Sequence, residues 1–226
     1  SHTSYARRMS DLPSIILISP SSKKSGEIEM LSRFFDAGLM RYHLRKPDWT
    51  ADELSEFLDQ VPDQHLPKIV VHRCPSLLND FPLAGYHHRS TESLLDVEGS
   101  RSRSLHLISE LKSLESSLDY AFFGPVYHSI SKKGYTPKIS LSEIFAFFNS
   151  GKSNELVKVP KIYALGGIRR KKLKKLADIG FYGVALLGSV WGSRDPLHSL
   201  NEFLKMDIEF LLNNRLQFQE NATIQT

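Results

Sequence analysis

Cysteine is almost absent from this chain of 226 residues: Cys74 stands alone, so no intramolecular disulfide forms and there is no C-x-x-C metal or redox motif. A reducing, cytoplasmic setting is the expectation that follows. Long apolar runs are also missing. Nothing approaches the ~20 residues of a membrane span, and no apolar stretch stands behind Arg7 and Arg8 as a secretory leader requires. Charge of one sign is scarce: 29 Lys and Arg against 25 Asp and Glu leave +4 with histidine neutral. That balance is too small to mark a nucleic-acid protein, so the expected partners exclude nucleic acid and membrane. It favours anionic ligands weakly.

What is present is ordinary for one globular core, 41% hydrophobic and 24% charged. We read 1–14 as an N-terminal extension, its first eight residues as a remnant preceding a natural start at Met9. Residues 15–213 form a single domain and 214–226 a tail without apolar periodicity. Within the domain, short β-branched or aromatic runs alternate with amphipathic stretches, the rhythm of a parallel sheet with helical crossovers. Strands are expected at 15–19, 39–44, 68–72, 83–87, 103–106, 120–124, 161–165 and 183–187. Helices are expected at 26–37, 51–59, 92–97, 108–115, 141–148 and 170–179, with a last one from about Pro196. Eight such repeats in about 200 residues fit an α/β fold of the (β/α)₈ TIM-barrel type better than an open doubly wound sheet.

In a barrel the chemistry gathers at the carboxyl ends of the strands. His43 and Arg45 share a face of strand two, His72 ends strand three, His87 ends strand four and His106 ends strand five. Gly166-Gly167 and Gly188-Ser189 follow strands seven and eight, where bare main-chain N–H groups seat phosphate. The segment 124–134 offers two hydroxyls and two ammonium groups suited to enclosing an oxyanion. The basic run from Arg169 to Lys175 has Leu173 and Leu176 as a packing face, so it reads as the solvated side of an outer helix.

Gly124-Pro125-Val126-Tyr127-His128-Ser129-Ile130-Ser131-Lys132 resembles the G-P-[IV]-[FY]-x-[TS]-x-[TS]-K loop of thiamine-phosphate synthases. Ala164-Leu165-Gly166-Gly167-Ile168 resembles their A-[IL]-G-G-I, and His43-Leu44-Arg45 their Q-L-R. Gly85-Tyr86-His87 is similar to their G-V-H, and Ser104-Leu105-His106 to the S-V-H of synthases and TenI proteins. Gly183-Val184-Ala185, preceding Leu187-Gly188, stands where the family has G-V-A-V-[IV]-S. The resemblance to the thiamine-phosphate synthase/TenI family runs from Ile15 to about Asp195. It implies a thiazole phosphate ligand seated on Gly166, Gly167, Leu187 and Gly188, with Ser129, Ser131 and Lys132 closing over the anion, and His43 and Arg45 meeting the substrate. Barrels of this group often pair through outer helices, so the resemblance admits a homodimer, while the sequence itself does not reveal the oligomeric state.

Three departures decide between the branches. The synthases' I-N-D-R becomes Val70-Val71-His72-Arg73, which removes the metal carboxylate. Their H-L-G-Q-x-D becomes His87-His88-Arg89-Ser90-Thr91-Glu92, leaving Glu92 as the only magnesium ligand a synthase would retain. Q-L-R-E-K becomes His43-Leu44-Arg45-Lys46-Pro47, with proline for the pyrophosphate lysine. The favoured reading is therefore TenI-like tautomerisation of a thiazole phosphate carboxylate with no cofactor. His106 acts as general acid/base, a role suited to a residue type whose ordinary pKa is about 6.5. The runner-up is magnesium-dependent coupling of a pyrimidine pyrophosphate, and a third is a non-enzymatic precursor-binding or regulatory protein. Imidazoles at several strand ends also admit a zinc hydrolase, which no H-x-H on strand one and no aspartate supports.

Overall fold

Eight short strands pair in parallel, each with the next in sequence and the last with the first, closing a barrel. The computed structural model describes residues 12–127, 140–150 and 160–207. The strands are β1 (Ile15–Ile18), β2 (Tyr42–Leu44), β3 (Ile69–Val71), β4 (Gly85–His88), β5 (Ser100–Leu105), β6 (Tyr120–Phe123), β7 (Lys161–Leu165) and β8 (Gly183–Leu186). Among the described residues the helices are α1 (Glu27–Asp36), α2 (Ala51–Asp59), α3 (Leu77–Asp80), α4 (Ile108–Lys112), α5 (Leu141–Ser150), α6 (Leu173–Ile179), α7 (Gly188–Trp191) and α8 (Pro196–Met206). Among the described residues, 3-10 turns at Asp63–Lys68 and Arg170–Lys172 also lie outside the barrel.

Local chemistry explains these boundaries. Thr50 caps α2 through its hydroxyl on the Glu53 N–H, while the Thr50 N–H donates back to the Glu53 carboxylate at 2.7 Å. This reciprocal pairing satisfies two otherwise orphaned donors. Asp195 caps α8 on the His198 N–H, and Pro196 stands at the first helical position, where no N–H is needed. In α1, Leu31, Phe34 and Phe35 fall at helical spacing and are almost fully buried. Each such side chain contributes roughly 1.5–3 kcal/mol when removed from water. At the closing seam, a Cβ on Gly183 would lie 2.1 Å from the Ser14 carbonyl oxygen, so only glycine lets β8 approach there.

Strand alternation splits the residues between two cores. Ile15, Leu17, Ala121, Phe123, Ile162, Ala164, Val184 and Leu186 face the helices. Ile16, Ile18, Tyr120, Phe122, Tyr163 and Ala185 fill the barrel interior. On the β2–β5 side the interior is polar instead, with His43, His87 and Ser102 all buried.

One expected helix does not form: residues 92–97 between β4 and β5 are irregular. Its main-chain groups are claimed by side chains of the barrel. The Leu95 N–H donates to His88 Nε2, and Arg103 Nη1 donates to the carbonyls of Arg89 and Glu92 at 2.6 and 2.5 Å. Those contacts hold the segment in an irregular path. The structure instead adds α3, which the sequence did not announce.

Candidate functional site

A cavity of about 560 Å³ opens at the carboxyl ends of the strands, as the barrel geometry requires. Arg45, His106, Gly166, Gly167, Leu187 and Gly188 all line it, bringing together six positions expected from the sequence. Ser129, Ser131 and Lys132 lie outside the described residues.

On the β7–β8 side the wall is main chain. Gly166 and Gly167 hold φ values of 98° and 64°, conformations that glycine adopts without strain. A Cβ on Gly166 would meet Pro125 Cβ at 2.6 Å, so this loop folds tightly against 124–126. Beyond β8, the first helical donor of α7 is Val190, bonded to the Leu187 carbonyl; the N–H groups of Gly188 and Ser189 precede it. Such N–H groups are suited to an oxyanion.

His106 follows β5 and is open to solvent. Its Nδ1 lies 3.0 Å from the Gly124 carbonyl oxygen. A carbonyl only accepts, so Nδ1 donates this bond, and in the neutral ring the lone pair of Nε2 is left for the cavity.

His43 departs from expectation. The sequence placed it against the substrate, yet it is fully buried beneath the cavity, with both ring nitrogens occupied. Its Nε2 lies 2.8 Å from the Tyr120 hydroxyl and its Nδ1 2.8 Å from His72 Nε2. His72 stacks on His87 with ring centroids 4.2 Å apart, and His87 sits between Ser102 and Ser104, 2.7 Å from each hydroxyl. The inward serines of β5 were missed by sequence reading, although the alternation Ser100-Arg101-Ser102-Arg103-Ser104 is their signal.

Burial lowers the pKa of all three of these imidazoles, to about 3 for His72, where the Arg45 charge adds to it. The neighbouring imidazoles reinforce the effect at His43 and His87. An unfolded chain would take up protons near pH 6.5, which the folded state refuses. Stability is therefore complete above about pH 6.5 and is lost as pH falls from there towards the folded values, because the unfolded chain binds protons that the folded rings do not. Urea unfolding in chelating buffer should show its midpoint dropping steadily from pH 7 to pH 5. A flat profile would mean these rings are not held neutral.

Carboxylates do not face the cavity: no aspartate or glutamate is among its described lining residues. Glu92 is spent elsewhere, its Oε1 accepting from the Tyr86 hydroxyl at 2.8 Å and its Oε2 from the Arg89 N–H at 3.1 Å. Lys46 pairs with Glu27 at 2.8 Å instead of reaching for a ligand. Magnesium demands hard oxygen ligands in octahedral array, and the residues described do not fit it.

Residues 100–190 match the profile of a family described as "Thiamine monophosphate synthase". The thiamine-phosphate synthase of Flavobacterium johnsoniae is 29% identical over 98 residues, 42% of this chain and 45% of that protein. Its counterpart in Bacteroides thetaiotaomicron is 28% identical over 88 residues, 39% of this chain and 41% of the relative. The chain thus aligns with less than half the length of these curated relatives. Over a longer span, the crystal structure of thiamine phosphate pyrophosphorylase from Bacteroides thetaiotaomicron superposes with a TM-score of 0.69 at 25% identity. That superposition covers 88% of this chain and 98% of the other.

Proposed function

We propose that the chain is a member of the thiamine-phosphate synthase/TenI family, as its similarities favour, and that its cavity binds a thiazole phosphate carboxylate and shifts a proton on it. The observation that carries this reading is the fixed tautomer of His106, whose bond to the Gly124 carbonyl leaves a basic Nε2 at a cavity without described carboxylates. The ligand's phosphate rests on the N–H groups around Gly167 and Gly188, and Arg45 faces its carboxylate. His106 Nε2 takes a proton from one ring position of the tautomer and returns it at another, giving the aromatic isomer. The step balances without a co-reactant, and histidine's range suits both halves of it.

Coupling of a pyrimidine pyrophosphate to thiazole phosphate is the second reading, favoured by the names of the curated relatives. Releasing pyrophosphate calls for a cation to neutralise the leaving group, and the donors for magnesium are not among the described lining residues. A side-by-side assay separates the two. One tube holds the thiazole tautomer in EDTA; the other holds thiazole phosphate, pyrimidine pyrophosphate and magnesium. Product is expected in the first tube. Thiamine phosphate in the second, with the tautomer unchanged in the first, would reverse the assignment, and no product in either would leave a binding protein.

A further inference from the structure

Three imidazoles from adjacent strands converge beneath the cavity on the side opposite the glycine-rich wall. His43 is on β2, His72 follows β3 and His87 is on β4, and one ring nitrogen of each lies within 4.8 Å of the others. We infer that His43, His72 and His87 form a three-histidine site for a borderline transition-metal cation, with zinc as the reference ion.

Donor chemistry selects the class of metal. Three neutral nitrogens and no carboxylate suit zinc, cobalt or nickel and not magnesium or calcium. Spacing agrees: nitrogens 2.0–2.1 Å from a tetrahedral zinc stand about 3.4 Å apart. The 2.8 Å contact between His43 Nδ1 and His72 Nε2 needs to open only slightly, and His87 to lean inwards. Metal ligands are normally oriented by a partner on the other ring nitrogen. Here the Tyr120 hydroxyl holds His43 Nε2, and Ser102 and Ser104 flank both nitrogens of His87, so whichever nitrogen binds, the other keeps a partner. Burial also keeps the rings unprotonated, as ligation requires.

His72 and His87 line the cavity while His43 lies below it. A cation held by the three therefore presents its fourth position to the cavity, the arrangement of an open zinc site. That position would take water or an oxyanion of the guest. Arg45 opposes a dication electrostatically, but it is exposed at the rim, where water screens its charge.

The test uses the full chain without a histidine tag, stripped with EDTA and titrated with cobalt(II), whose four-coordinate complexes absorb strongly in the visible. Zinc then competes, and elemental analysis gives stoichiometry. One equivalent is expected for the unaltered protein, with zinc raising the unfolding temperature. His72→Ala, at the least enclosed ligand, should abolish the visible band with its circular dichroism unchanged. Tyr120→Phe should retain one equivalent but bind about 10–100-fold more weakly; this variant decides the matter should His72→Ala not fold. Absence of cobalt or zinc binding by the unaltered protein overturns the site, as does equal affinity in the folded variants. Because the readout is metal alone, the result is independent of the proton-transfer assay.

Discussion

Replacing His106 by alanine is expected to slow thiazole tautomerisation by about 10²–10⁴-fold, the usual contribution of a positioned general acid/base. Affinity for thiazole phosphate should stay within a few-fold, because the proposed phosphate seat lies on the loops after β7 and β8 and uses no atom of the imidazole. His106→Gln is the informative companion. Glutamine can donate its side-chain amide to the Gly124 carbonyl and keep the loop in place, yet it cannot accept and return a proton near neutrality. Steady-state rates should therefore collapse in both variants while calorimetric binding of the phosphorylated product persists. Full turnover in either one would take the chemistry away from this residue and leave His72, His87 and His88 as the other imidazoles lining the cavity.

A second large effect is expected at Lys46. Its ammonium group is fully buried, 2.8 and 3.0 Å from the two oxygens of Glu27, 2.8 Å from the Ser22 carbonyl and over the Trp49 ring. Tyr42 donates its hydroxyl to the same carboxylate at 2.8 Å, and burial together with Glu27 holds its pKa well above the usual phenol range. Lys46→Met leaves that carboxylate buried with its charge uncompensated, a change that typically costs 3–5 kcal/mol. Adding Glu27→Gln removes the charge and keeps an acceptor for Tyr42, so most of the loss should be recovered. Urea denaturation of the two singles and the double measures this coupling. If Lys46→Met alone unfolds at the same midpoint, the pair is not the tie it is drawn to be. The pair anchors the loop before α1 to the start of that helix and to the end of β2, so the cavity rim beside Arg45 should loosen with it.

The barrel was legible because its strands are short, apolar and separated by amphipathic helices, and strand seven was placed at its observed limits of Lys161–Leu165. Strand five was begun three residues late. Ser100, Arg101 and Ser102 carry no apolar signal, since their small hydroxyls face a polar interior and Arg101 and Arg103 face outwards. The false helix at 92–97 had a fair helical composition, and only tertiary contacts from His88 and Arg103 overrode it. At the site, strand-end placement located Arg45, His106 and the glycines, because a barrel aims each strand end at one mouth. Depth was not readable. Only Leu44 separates His43 from Arg45, and that one repeat of the pleat along a shared face divides the packed interior at His43 from the cavity rim at Arg45.

The cavity wall carries cations and bare amides with no described carboxylate among them. An anionic guest thus meets counterions that are built into the polypeptide. Occupancy would then follow ionic strength, which screens such a field over about 8–10 Å at physiological salt, more than the supply of any hard divalent ion. On the proposed reading, raising the salt concentration would therefore weaken binding of the anionic guest.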